Sequence, residues 1–311
     1  MTNPKFEVHQ DWSTPGFDLS PIAGATGPFV RRDLLNAWHR HRGQDGTVLL
    51  VESAAALLPL FQDTTSLRFV GEADLTDYHS PLGASDAIRS LAGAFFAGVA
   101  AGTTVTLDSL PAEAATPLET GLVDAGIDIA RDQYEVAAVL TLPGSFDEWL
   151  STIGKKERHE VRRKRRRFEE ELGPPHLERV SGPDALATFA DMHRSASGDK
   201  GTFMTPDMTA LFFDLHHNAG AVIDVLSSHA GDPVAAAFGF EDDTGYYLYN
   251  SAYSPNARSA SPGIVMLASL IERAIGAGKT VFDFLKGDEP YKFRHGAQPR
   301  PLYSLTGTVQ G

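Results

Sequence analysis

The sequence predicts an α/β protein (α+β layered) made of two tandem copies of one fold, each a mixed central sheet flanked by helices. Three observations predict it. The chain has 311 residues, about twice an ordinary domain, with 42% hydrophobic and 22% charged side chains. Helical and strand periodicities succeed one another in the same order in both halves. The run Ala100-Ala101-Gly102-Thr103-Thr104-Val105 matches Gly276-Ala277-Gly278-Lys279-Thr280-Val281, each where a helix hands over to a strand.

Residues 1–28 are polar and rich in Pro and Gly and are expected to form a loosely ordered N-terminal arm. The first domain is expected over 29–144. Leu34, Leu35 and Trp38 repeat at helical spacing, and Gly43 is a stop signal. Strand-like runs follow at 47–51, 55–61 and 66–70, then a polar loop 71–83, a helix over 85–100, a strand over 103–107, a helix over 116–125 and a strand over 134–142.

A connecting helix is expected over 145–173. Ser145-Phe146-Asp147-Glu148 is a capping box, in which side chains at both ends satisfy exposed amides. Phe146, Trp149, Leu150 and Ile153 make an apolar stripe that Val161, Phe168 and Leu172 prolong, with Gly154 as a break or bend and Gly173-Pro174-Pro175 as the end. The second domain, 174–311, repeats the earlier order. Helices are expected over 183–196 and 206–217, the latter with Thr205 as N-cap and Pro206 at the first position. Strands over 222–227, 234–241 and 246–253, a helix over 263–275, a strand over 280–285, a short helix at 291–294 and a strand over 302–306 complete it.

Charge is unevenly placed. The net charge is −13, yet nine of the 27 Lys and Arg residues fall between Lys155 and Arg167 with only Glu157 and Glu160 among them. That window is +7, which leaves the remainder at −20. A solvated face with weak ion pairs accounts for such a run, as does a contact for tRNA, for a phosphate-rich acceptor or for an anionic surface.

No run approaches the roughly 20 apolar residues of a membrane span, and the first thirty residues lack an export signal, so no transmembrane segment and a cytoplasmic location are expected. Without cysteine there is no disulfide, thiolate ligand or thiol nucleophile. His216-His217 and the pair His39, His41 lack a third ligand at metal spacing, so no metal is expected. Gly278-Lys279-Thr280 follows a helix and precedes a strand, the reverse of a P-loop.

The loop Ser254 to Gly263, rich in small residues, lies between a strand and an apolar helix. Backbone amides at such a helix start, with the positive end of the dipole behind them, suit a phosphate. Arg258-Ser259-Ala260-Ser261-Pro262-Gly263 resembles the Gln/Arg-x-x-Gly-x-Gly/Ala loop with which GNAT acetyltransferases hold the coenzyme A pyrophosphate, with Ser261 standing where that loop has its first glycine. Lys155 to Glu171, Phe282 to Lys292 and Gly71 to Tyr78 extend the likeness to the CelD/BioF2-like acyltransferases, distant relatives of the FemAB/FemX aminoacyl transferases.

That resemblance implies two tandem GNAT-like folds, a donor site in the second, and an acceptor between the folds. It implies cofactor-binding roles for Asn250, Tyr253, Arg258, Ser261 and Gly263, and catalytic roles for Lys292 and Tyr291; Asp283, which alternates with Phe282 and Phe284, is expected to face the cleft as a third catalytic group. Asp77, Tyr78 and Lys286 are assigned to substrate binding, with Asp288, Glu289 and His295 as catalytic alternatives. The expected donor is acetyl-CoA or another acyl-CoA, and the expected acceptor an amine of a small molecule, a peptide or a cell-envelope precursor. Two other readings stay open: an aminoacyl-tRNA-dependent ligase, and a non-catalytic nucleic-acid or membrane adaptor on this scaffold.

Overall fold

The computed structural model describes residues 5–22, 24, 26–196 and 199–310. Contacts divide the chain into two units, one running to Ala137 and resuming at Arg300, the other Ala138–Pro299.

In the first unit, β1 (Glu7–His9), α1 (Arg32–Arg42), β2 (Thr47–Ser53), β3 (Ala56–Gln62), β4 (Ser66–Phe69), β5 (Leu82–Gly83), α2 (Ser85–Phe96), β6 (Thr104–Pro111), α3 (Ala112–Asp124) and most of β7 (Ile129–Thr141) follow in order. β1 to β4 pair antiparallel in sequence, β4 pairs β6 in parallel, and the C-terminal strand Gln298–Thr308 returns antiparallel to β6. Leu58, Leu60, Phe69, Leu91, Phe96, Leu107 and Leu122 form the core between sheet and helices.

The second unit holds α4 (Phe146–Thr152), α5 (Lys155–Leu172), β8 (His176–Val180), α6 (Pro183–Arg194), α7 (Asp199–Phe203), α8 (Pro206–Asn218), β9 (Val222–Ser227), β10 (Pro233–Glu241), β11 (Gly245–Tyr253), α9 (Pro262–Gly276), β12 (Val281–Lys286) and α10 (Pro290–Arg294). β8 to β11 pair antiparallel in sequence and β11 pairs β12 in parallel. This is the pairing pattern of β1, β2, β3, β4 and β6. Backbone strain repeats as well: Ser109 (φ 57°) and Leu285 (φ 61°) are left-handed, each four residues after the matched valines Val105 and Val281. Left-handed backbone is costly for a residue with a Cβ, so its recurrence at one register is strong support for duplication.

Of three expectations, the structure corrects the first and third and settles the second, Gly154, as a break rather than a bend. The arm is not loose over its described residues: β1 pairs with β2, Gly83 N–H donates to Ser20 O (2.8 Å), and Arg32 donates to Thr14 O (2.8 Å). A three-residue strand is too short to show a period, so only the partner strand reveals it. Secondly, the capping box forms through Ser145, which accepts from Glu148 N–H (3.2 Å), but the helix it starts stops before Gly154, and α5 begins anew beyond it. Thirdly, α5 is not a separate connector. Val161 and Phe168 are buried with Trp149 and Leu150 in the core of the second unit, each large side chain contributing roughly 1.5–3 kcal/mol. The last strand of the expected 174–311 domain, from Arg300, belongs to the first unit. β8 has no counterpart among the expected strands, because its alternation is masked by Glu178 and Arg179.

Candidate active site

β11 and β12 pair only from Gly245 to Tyr247 and from Val281 to Asp283, and then part. Two irregularities produce the split. On β11 a bulge leaves Tyr249 as an extra residue, since Phe238 faces Asn250 while Gly239 faces Leu248. On β12 the left-handed Leu285 turns the strand end aside. The gap at the carboxyl ends of neighbouring parallel strands is where open α/β sheets take ligands.

A cavity of about 570 Å³, within the range of small-molecule sites, occupies this place. Its walls are Ser251, Ala252 and Tyr253 of β11, Ala235 of β10, Gly263, Ile264, Met266 and Leu267 of α9, Lys156, Glu157, Glu160 and Val161 of α5, and Tyr291, Arg294 and His295 in and after α10. Ser254 N–H donates to Val234 O (2.9 Å), so by the alternation of an antiparallel ladder Ser251 and Tyr253 turn their N–H groups away from β10. The Ser251 amide is taken by the Asn250 side-chain oxygen (2.8 Å), which also lies 3.1 Å from His193 Nε2. Tyr253 therefore offers the backbone donor on this edge, and Asn250 is a positioning group rather than a wall residue.

The start of α9 forms the second donor. Ser261 is left-handed (φ 58°) and its carbonyl accepts from Ile264 N–H (3.1 Å), while Pro262 has no N–H. That leaves the Gly263 amide at the positive end of a 15-residue helix, on the cavity wall. A Cβ on Gly263 would meet only Tyr253 at 3.6 Å, so the backbone does not require glycine here; the space it leaves belongs to the cavity. Arg258 is exposed in the short turn Pro255–Ala260, one step back from the wall.

α5 straps this loop. Lys164 donates to Ser261 Oγ (2.7 Å), and Ser259 donates to Glu171 (2.7 Å). Other basic residues of α5 are neutralised: Arg163 pairs with Glu160 (2.8 Å), Arg165 with Glu272 (2.8 Å) and Arg167 with Glu171 (2.7 Å). Arg162 and Arg166 are exposed and make no ion pair among the described residues. Sequence reasoning missed the Lys164 contact because six consecutive basic residues carry no sign of which one faces inward.

Lys292 is not a wall residue. It is buried, and its ammonium donates to the carbonyls of Leu285 (3.3 Å), Lys286 and Gly287 (3.4 Å) and pairs with Glu289 at 2.9 Å. Asp283 is also fully buried and accepts from Leu285 N–H (2.7 Å), so it does not face a cleft as alternation suggested. Together these two hold the strained end of β12, and through it α10; neither lines the cavity. Gly287 (φ +114°) lies in backbone that favours glycine, with the ends of the Glu289 and Lys292 side chains close by. Lys286 is half-buried, with its carbonyl in the lysine cage and its side chain off the wall.

Tyr291 and His295 do reach the cavity. Burial and then the Glu289 charge push the Tyr291 phenol up to about 12. His295 is 7% exposed, and burial lowers its pKa despite a hydrogen bond to Tyr291 O (2.7 Å). The Trp149 indole lies nearly parallel to its ring (13°, centroids 6.3 Å) and donates to its carbonyl (3.0 Å).

In the first unit Tyr78 is fully buried, edge-on to Phe29 and beneath the Arg300 guanidinium. An aromatic ring so enclosed packs as core in this structure. Asp77 is half-buried on the same loop.

Residues 155–293 match the family model of the acetyltransferase (GNAT) domain. Residues 155–293 are thus a GNAT-type domain. The GNAT match begins at the first residue of α5 and ends inside α10, so it takes in the strap, the split strands and the donor loop. Solved structures show the same fold over nearly all of the chain. FemX shares 13% identity over 94% of this chain and 93% of its own, with a TM-score of 0.62. A conserved protein of unknown function from Bacteroides thetaiotaomicron shares 12% over 98% and 100% (TM-score 0.62). L-PGS from Bacillus licheniformis shares 16% over 88% and 90% (TM-score 0.57). No curated protein sequence matches significantly. Among the described residues, no helix is long and apolar enough to cross a membrane.

Proposed function

We propose that this GNAT protein is an N-acyltransferase of the CelD/BioF2-like type, which moves an acyl group from coenzyme A, acetyl in the simplest case, to an amine of a small molecule or cell-envelope precursor. The observation that carries this is the separation of β11 from β12 beyond Tyr247 and Asp283, with a cavity of about 570 Å³ in the gap and the amide end of α9 on its wall. An elongated thioester lying there puts its carbonyl oxygen toward Tyr253 N–H and its pyrophosphate toward Gly263, with Arg258 and Ser261 on the loop beside it. Donors already aimed at a developing oxyanion need no reorganisation during the reaction. A cytoplasmic location, where acyl-CoA is made, goes with this reading. Asp77 stays assigned to the acceptor on the resemblance alone.

Calorimetric titration with acetyl-CoA, a longer acyl-CoA and free coenzyme A tests it. Micromolar binding is expected, and Gly263→Val is expected to weaken it at least 10-fold while leaving the unfolding temperature nearly unchanged, because the new branched side chain enters the cavity and no packed wall. A folded wild-type chain that binds none of the three discards the coenzyme A donor.

Two observations favour an aminoacyl-tRNA donor as the second reading. Ser261 and its Lys164 contact occupy the place of a glycine in the pyrophosphate loop, and Arg162 and Arg166 remain available to phosphates. Aminoacyl-tRNA binding that falls steeply with salt, and falls further in Arg162→Ala/Arg166→Ala, is the expected result under that reading.

A further inference from the structure

Acyl transfer to an amine needs a group that takes a proton from the nucleophile and gives one to the leaving group. Tyr291 is poorly matched to the second task when the leaving group is a thiolate. A thiol has a pKa of about 8.5, and the Tyr291 phenol stands at about 12, so proton transfer from phenol to thiolate is uphill by more than three units. Tyr291 can donate a hydrogen bond to sulfur and keep its proton.

His295 has the features the task requires. It lines the cavity, and its Nδ1 lies 2.7 Å from the Tyr291 carbonyl oxygen. A carbonyl only accepts, so Nδ1 carries the hydrogen and Nε2 carries the lone pair. Nε2 is buried and has no hydrogen-bond partner. A buried acceptor left unpaired is costly, a cost that an arriving N–H removes. The ring is fixed by the parallel Trp149 indole, which also holds the residue's carbonyl.

We propose that His295 is a catalytic proton carrier of this site: Nε2 accepts the proton of the attacking amine and returns it to the departing sulfur. The inference rests on the acyltransferase reading above. The amine nitrogen bonds to the acyl carbon, the carbon–sulfur bond breaks, and the amine proton passes through Nε2 to the thiolate, so thioester and amine become amide and thiol with nothing left over. Burial helps twice, by keeping the imidazole neutral before attack and by making the imidazolium a strong acid afterward. The charged groups sharing the cavity wall are Lys156, Glu157 and Glu160 of α5 and Arg294 of α10.

Two measurements test this on the full chain. Histidine nitrogen NMR, with His295 assigned by its loss in His295→Phe, is expected to show a neutral ring protonated at Nδ1 at pH 7; a hydrogen on Nε2, or a charged ring at that pH, overturns the proposal. In turnover, His295→Phe retains the stacked ring and is expected to bind acyl-CoA within about 2-fold of wild type while kcat/KM falls 100-fold or more. Wild-type activity rises with pH through a limb below the ordinary histidine value of about 6.5, because only the neutral ring is a base, and the variant loses that limb. His295→Gln serves if the phenylalanine variant does not fold. A variant that binds donor and turns over with an unchanged pH limb overturns His295 and leaves the acyltransferase standing; a wild-type chain that binds no acyl donor removes both.

Discussion

Lys292→Met is expected to lower stability by roughly 3 kcal/mol, and with it the unfolding temperature by about 6–12 °C. The ammonium is buried and bonds three backbone carbonyls, those of Leu285, Lys286 and Gly287. Methionine fills the space and offers no donor, so oxygens already removed from water lose their partner. Hydrogen bonds to a charged group are worth about 1.5–3 kcal/mol each, and relaxation of the turn toward solvent brings the total down. The ion pair with Glu289 adds little, because that carboxylate is 55% exposed.

A pH signature accompanies the loss. Burial raises the Glu289 carboxyl, but the Lys292 hydrogen bond and charge outweigh it, and the net effect is a pKa below the ordinary value. A carboxylate held low stabilises the fold above its unfolded pKa, and this contribution disappears as pH falls through the lowered value. Lys292→Met is expected to flatten that acid limb in urea titrations below the ordinary glutamate value of about 4.3. Unchanged stability with abolished turnover is the outcome that returns Lys292 to the chemistry.

Asp224→Ala is expected to cost more, about 3–5 kcal/mol. Its carboxylate is fully buried on β9, 3.1 Å from the Arg179 guanidinium, paired with Arg273 of α9, and accepts from Tyr246 Oη at 2.8 Å. Glu241, 2.6 Å from Arg179, extends the network to Lys279 at 3.2 Å. Removing Asp224 leaves Arg273 without its counter-charge, Arg179 with Glu241 alone, and a buried phenol without its acceptor. Burial, and then the Asp224 charge, hold that phenol well above its usual pKa, so ionisation offers it no escape. Asp224→Asn keeps an acceptor and is expected to fall between wild type and alanine in urea midpoint. The network joins β8, β9, β10 and β11 to the end of α9, and none of its residues lines the cavity, so acyl-donor affinity measured below the transition should be unchanged. A variant as stable as wild type shows that the arginines find other partners at no cost.

Much of the site was legible from residue order. The helix-to-strand junctions at Val105 and Val281 revealed the duplication, and the register of Ser109 and Leu285 repeats it in backbone geometry. The small-residue loop ending at Gly263 marked the start of α9, where the cavity lies. Tyr291 was placed on its wall by resemblance. Lys292 and Asp283 were read as chemistry, because a charge beside an aromatic, or between two phenylalanines, has the same sequence pattern whether it faces a cavity or a carbonyl cage.

Local physics was enough for the elements, the caps and the period of each apolar stripe, since these depend on neighbours within about four residues. The tandem order of elements, the break at Gly154 and the small-residue turn before α9 were in the sequence. Tertiary structure decided which of nine basic residues is bound to the donor loop, which carboxylates are buried, and that His295 keeps one nitrogen for its backbone and one unpartnered. Those outcomes depend on groups tens to hundreds of residues apart, Lys164 on Ser261 and Trp149 on His295, and burial assigns a polar side chain its role only after such partners have met.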